Sequence, residues 1–139
     1  MVTFTVSVDF AQAPDAVFAY LGDPARRAAW QASLRTVELL TDRPTGVGTA
    51  WHDVTWPGVR PRMEITVFEP GVRWAERGTW HGLVVDLTLD FVANGAGTTV
   101  RATASTYAPG WRRPLGWGLG LLGPVAARDD LRRAARLLG

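Results

Sequence analysis

From residue 34 onward the apolar residues recur at every second position for about seventy residues, a period that only extended strands can present to one core. The runs fall at 34–41, 48–56, 60–69, 73–79, 83–93 and 98–107. Four of the joints between them, Pro57-Gly58, Pro70-Gly71, His81-Gly82 and Asn94-Gly95-Ala96-Gly97, are short and rich in turn-forming residues, as is the longer Arg43-Pro44-Thr45-Gly46. Short joints imply antiparallel neighbours. The alternation is clearest in the last two runs, where Leu83, Val85, Leu87, Leu89 and Phe91 oppose Asp86, Thr88 and Asp90, while Val100, Ala102 and Ala104 oppose Thr99, Arg101 and Thr103. One face of such a sheet is apolar and the other wet. The inward residues of the last run are small, so that a helix laid across them either approaches closely or leaves a void.

A seventh strand is predicted at 2–10, where Val2, Phe4, Val6, Val8 and Phe10 alternate with polar residues. Between it and the sheet run lie two short helical phrases. The first opens at Pro14 and stops at Gly22; the second opens with Asp23 as cap and Pro24 in its first turn, and runs to Trp30 or Gln31. The only stretch able to make a helix of more than three turns is 111–138. Within it Pro124 suits a first helical position, Asp129 and Asp130 come early, Arg132, Arg133 and Arg136 come late, and Gly139 follows the end. Ala127, Leu131, Ala134, Ala135 and Leu138 form one apolar stripe. Upstream, Leu115, Trp117, Leu119, Leu121 and Leu122 are interleaved with glycines that cost about 1 kcal/mol each in a helix interior, which suggests a loose apolar lid over a cavity. The order is β-α-α-β6-α, an α+β chain of 139 residues read as a single domain spanning 1–139.

Composition excludes several functions. Without cysteine there is no disulfide, thiolate nucleophile or thiolate metal site. All 15 basic residues are arginine, yet they are scattered and the net charge is only +2, which argues against nucleic-acid binding. No basic and apolar leader opens the chain and no window is long and apolar enough to span a bilayer, so a cytoplasmic location with no stable membrane insertion is expected. No phosphate loop, nucleophile elbow or metal-ligand spacing is present, so neither a cofactor nor a metal is called for.

The element order, together with Ala13-Pro14-Asp15-Ala16-Val17-Phe18, Asp23-Pro24 leading to Trp30, Thr45-Gly46-Val47-Gly48-Thr49, Val67-Phe68-Glu69-Pro70 and Gly97-Thr98-Thr99-Val100, resembles the START-like or SRPBCC superfamily, in its polyketide cyclase/dehydrase-like branch. The resemblance covers essentially the whole chain and implies a helix-grip fold: a curved, antiparallel, seven-stranded sheet wrapped around a long C-terminal helix, with a deep apolar cavity between them. It is a poor guide to activity, because one scaffold serves many ligands.

By the same resemblance Trp30 sits at the pocket edge, as wall or as core. On the third strand Trp51 and Asp53 share one face and His52 lies on the other; parity leaves open which is inside, and the family's aromatic at this place favours Trp51 and Asp53. Met63, Ile65 and Val67 are expected inward on the fourth strand, with Arg62 and Glu64 as an outward pair. On the fifth, Trp74, Glu76, Gly78 and Trp80 share a parity, so an inward Trp74 brings Glu76 with it. A buried carboxylate must then be paired or have its pKa raised, which makes it a candidate general acid or base; the plainer reading pairs Glu76 with an arginine at the sheet rim. His81 belongs to a turn and is expected in solvent.

Seven tryptophans suit a planar ligand or simply fill a core. Three readings follow. In the first, a small hydrophobic, aromatic or polyketide-like molecule is held by Trp30, Trp51, Met63, Ile65, Trp74, Leu87, Leu89, Ala102, Ala104, Trp117 and Leu121. Asp53, Glu76 or His52 then moves a proton in a lyase- or isomerase-type cyclisation or dehydration. The second is a non-enzymatic carrier or sensor. The third is an interaction module, including a homodimer, using the surface at 111–122.

Overall fold

The computed structural model describes every residue but Arg43 and Pro57, and the side chains of all but these and 112–122. Seven strands, β1 (Val2–Phe10), β2 (Leu34–Leu39), β3 (Ala50–Thr55), β4 (Arg62–Glu69), β5 (Arg73–Trp80), β6 (Leu83–Asn94) and β7 (Gly97–Tyr107), form one antiparallel sheet. Their order is β1-β7-β6-β5-β4-β3-β2. Consecutive strands from β2 to β7 are neighbours because their joints are short. β1 reaches the far edge beside β7, leaving room for α1 (Pro14–Leu21) and α2 (Arg27–Trp30), the latter preceded by a tight turn over Pro24–Arg26. Asp23 caps that turn through its side chain, which accepts from the Ala25 N–H at 3.0 Å.

The last helix, α3 (Arg113–Leu138), crosses the sheet over β1 and β7 and touches α1 and α2. The stripe read from its second half is the buried one: Leu131 and Ala134 join the core, and Ala127, Ala135 and Leu138 pack against it. The expected start at Pro124 is overturned, for the helix runs through this proline from Arg113. A proline inside a helix forfeits one backbone hydrogen bond and is tolerated where tertiary packing holds the flanking turns. Gly123 supplies such packing, since a Cβ there would come within 2.7 Å of the Phe4 ring on β1. The glycine is therefore needed for close approach. The lid side chains proposed at 115–122, Trp117 and Leu121 among them, lie outside the described residues, as does most of the surface at 111–122.

Val67 is a second correction. A β-bulge between Ile65 and Val67 inserts one residue into β4, and past it Phe68 turns to the core. Phe68 meets Phe18 edge to face at 5.1 Å, and Phe18 also meets Phe91 at 5.2 Å. These rings pack with Val17 and Leu21 of α1 in the core at one end of the sheet. The other end is different.

Candidate functional site

Between the concave face of the sheet and the helices α2 and α3 lies a pocket of about 400 Å³. Its floor is set by small residues. Ala102 and Ala104 of β7 and Gly78 of β5 line it where larger side chains would take up the space. Leu87 and Leu89 of β6, Met63 of β4 and Phe4 of β1 make the remaining apolar wall, and Gly123, Ala127 and Leu131 of α3 face them. At Gly78 a Cβ would collide with Met63 Sδ at 2.8 Å, so the methionine packs over the glycine beside the pocket.

One wall is ionic. Arg27, Asp53 and Glu76, from α2, β3 and β5, all line the pocket and are 2%, 6% and 4% exposed. Arg27 Nη2 donates to Asp53 Oδ2 at 3.3 Å and to Glu76 Oε1 at 3.2 Å. Its Nη1 stands 3.1 Å from Glu76 Oε2 as an ion pair without hydrogen-bond alignment. Trp51 Nε1 donates to the other Asp53 oxygen at 2.8 Å. The guanidinium lies 5.2 Å and 6.0 Å from the ring centres of Trp51 and Trp74. Burial pushes the Glu76 carboxyl above the usual carboxylate range; Arg27 pulls it back only in part, and Asp53 adds to the rise. Burial alone would lower the pKa of Arg27, but its two carboxylate partners outweigh that and raise it.

The second polar feature ties α3 to the end of α2. Asp130, which lines the pocket, accepts from the Ala32 N–H at 3.1 Å, and Arg133 donates to the Trp30 carbonyl at 3.1 Å and to Asp130 at 3.4 Å. Burial raises the pKa of Asp130 as well, against the pull of Ala32 and Arg133.

Of the sequence-predicted residues, Asp53 and Glu76 come together, with Trp30, Met63, Leu87, Leu89, Ala102 and Ala104 around the same hollow. His52 does not join them. It has the opposite parity to Trp51 and Asp53, is absent from the pocket lining, and so is no proton-transfer partner for Glu76. Trp51, Ile65 and Trp74 are inward as expected, but at 0%, 0% and 1% exposure they pack behind the wall and do not line it. Among the described residues, the indoles that line the pocket are those of Trp30 and Trp80. The rim reading of Glu76 is overturned too, because its arginine comes from a helix and is itself buried. Arg27 is absent from the sequence-based candidates. A signal for it exists: Arg27 precedes Trp30 by three residues on one short helix, so an inward Trp30 brings Arg27 to the same side. Among the described residues no three potential metal ligands cluster, and no helix is long and apolar enough to cross a membrane.

No curated protein matches the chain. Among solved structures, the di-domain aromatase/cyclase StfQ from the steffimycin biosynthetic pathway superposes with TM-score 0.78 at 15% identity, over 97% of this chain and 49% of that one, so the chain spans about half of StfQ. A Thermus thermophilus protein gives TM-score 0.77 at 15% identity over 98% of this chain and 96% of its own. A Mesorhizobium loti protein gives 0.75 at 19% identity over 98% and 96%. At such identities these likenesses establish the helix-grip fold. The family model described as polyketide cyclase / dehydrase and lipid transport matches residues 1–138, nearly the whole length, and with this fold the chain belongs to that family.

Proposed function

We propose that the protein binds a small, largely apolar, aromatic or polyketide-like molecule in the pocket beneath α3 and moves protons on it with Glu76. The observation that carries this reading is a buried ionic cluster set into the wall of an otherwise apolar pocket. Such a wall costs free energy to bury and suits proton transfer at a bound molecule. A carboxyl pushed upward from its ordinary range gains proton affinity, which makes its anion a stronger base in water-poor surroundings. In a cyclisation the Glu76 carboxylate takes a proton from the carbon beside a carbonyl, and the C–H electron pair passes into an enolate. That carbon then attacks a second carbonyl of the same chain, which becomes an alkoxide and takes the proton back from Glu76 to give an alcohol. If dehydration follows, the regenerated carboxylate removes the remaining proton from the attacking carbon, the C–H electron pair passes through the enolate into a new C=C bond, and Glu76 gives that proton to the departing hydroxyl, which leaves as water. Asp53, tied to both Trp51 and Arg27, holds the guanidinium in place.

The test needs no natural substrate. Exchange of the methyl protons of 2-acetylnaphthalene with deuterated water, followed by NMR, reports enolisation. The protein is expected to accelerate it, and Glu76→Gln to lower the acceleration by about two to four orders of magnitude while the ketone still binds. Binding with no acceleration makes the protein a carrier, and acceleration unchanged in Glu76→Gln takes the proton transfer away from Glu76.

A further inference from the structure

The four-residue helix α2 carries Arg27 and Trp30 into the interior, yet it is too short to hold itself, since isolated helices are marginal in water below about 12–15 residues. One bond closes it, from the Gln31 N–H to the Arg27 carbonyl at 2.9 Å. Beyond that bond the chain is gripped from α3. Asp130 and Arg133, one turn apart, take the peptide groups on either side of Gln31 as a pair: Arg133 donates to the Trp30 carbonyl at 3.1 Å, and Asp130 accepts from the Ala32 N–H at 3.1 Å. Arg133 also donates to Asp130 at 3.4 Å, so the two side chains brace each other. A cationic donor on the last carbonyl of a helix satisfies a group that has no partner within the helix. We propose that Asp130 and Arg133 are positioning residues, a clamp that holds Arg27 against Glu76 and Asp53, so that two side chains of α3 govern the base in the pocket wall. The inference rests on the reading of Glu76 as that base.

The groups around Glu76 give the clamp its leverage. Among the described residues, the other charged ones lining the pocket are Arg27, Asp53 and Asp130, and the in-register neighbours of Glu76 on β4 and β6, Ile65 and Leu87, carry no charge. Burial and Asp53 both favour the protonated carboxyl, and Arg27 is the group that opposes them. Its pull falls with distance, and its contacts with the two carboxylates stand at 3.1–3.3 Å, so a small retreat of α2 weakens it. Loss of the clamp therefore moves the ionisation of Glu76 to higher pH. Loss of the Asp130 charge alone acts the other way, because one negative charge fewer in the same pocket favours the ionised carboxylate. The two roles of Asp130 thus differ in sign.

The titration of Glu76 reads the clamp directly. With 13C-labelled glutamate carboxyls, the Glu76 signal is the one missing from Glu76→Gln, and NMR follows its midpoint without any ligand. The double variant Asp130→Ala, Arg133→Met removes the clamp and leaves the net charge as it was. Its Glu76 midpoint is expected at higher pH than in the wild type. Exchange of the 2-acetylnaphthalene protons below that midpoint should slow by up to about tenfold, the size of a retreat of about 1 Å by the guanidinium at an effective dielectric of about 20, while the high-pH plateau is kept. Asp130→Asn keeps an acceptor for the Ala32 N–H and loses only charge, so its midpoint should stay or fall. A midpoint unchanged or lowered in the double variant, or raised as much by Asp130→Asn, would overturn the inference, as would a plateau that drops with the midpoint unmoved. If the double variant does not fold, Asp130→Ala alone carries the same expectation. A wild type that accelerates no exchange sinks the base reading instead, and the carboxyl titration still decides whether the clamp holds Arg27.

Discussion

Glu76 and Arg77 are consecutive residues of β5, and the protein treats their charges in opposite ways. Glu76 points inward, is nearly inaccessible, and shares Arg27 with Asp53. Arg77 points outward with 56% of its side chain exposed and grips Asp86 of β6 through two hydrogen bonds of 2.8 Å and 2.9 Å. Arg73 repeats the outer arrangement with Asp90, because β5 and β6 pair Arg77 with Asp86 and Arg73 with Asp90 in register. The outer pairs have better hydrogen-bond geometry, yet water and salt screen them. The inner group has longer contacts, but each charge there has lost its solvent and depends on its partners. Geometry alone therefore ranks these pairs wrongly; burial decides what each is worth.

The largest expected effect comes from removing the shared cation. Arg27→Met leaves two carboxylates in the wall without their counter-charge and is expected to cost about 3–5 kcal/mol in urea denaturation, the range for breaking a buried ion pair from one side. Proton uptake by Glu76 limits the loss. Adding Asp53→Asn and Glu76→Gln to the same chain should recover most of it, which would show that the penalty belongs to stranded charge and not to lost packing; a cost that persists in the triple variant would break the comparison.

A smaller effect is a slope. The folded state holds the Glu76 proton more tightly than the unfolded chain, so this residue's contribution to stability is complete below the ordinary glutamate pKa of about 4.3 and is lost as pH rises through the raised folded value. Unfolding free energies measured across that window should fall with pH in the wild type, and the fall should flatten in Glu76→Gln. A difference between the wild-type and Glu76→Gln curves that rises with pH instead would mean that Arg27 dominates burial. The smallest effect belongs outside: Arg77→Gln is expected to leave the unfolding midpoint unchanged at moderate salt, and a clear drop there would show that the outer ladder matters as much as the inner cluster.

Much of this was legible residue by residue. The parity of β5 places Glu76 with Trp74 and Gly78, and the small residues of β7 mark the hollow. The spacing in 124–138 marks the helix face that meets the core. Other features resist local reading. Parity sorts Trp51 and Asp53 from His52 but is symmetric between inside and outside. An arginine on a four-residue helix looks like a solvated charge until two carboxylates from distant strands are brought to it. Full burial and exposure to a pocket look alike in sequence, which is why Trp51, Ile65 and Trp74 read as walls.

By itself, then, the sequence determined the strands, their antiparallel succession, the helix that covers them and the two faces of each element, because these follow from periodicity and turn chemistry within a few residues. Only the tertiary structure decided that α3 continues through Pro124, that a bulge turns Phe68 and not Val67 to the core, and that Arg27 is the counter-ion of Asp53 and Glu76. Each of these depends on groups far apart in the chain, whose mutual desolvation and packing have no local signature.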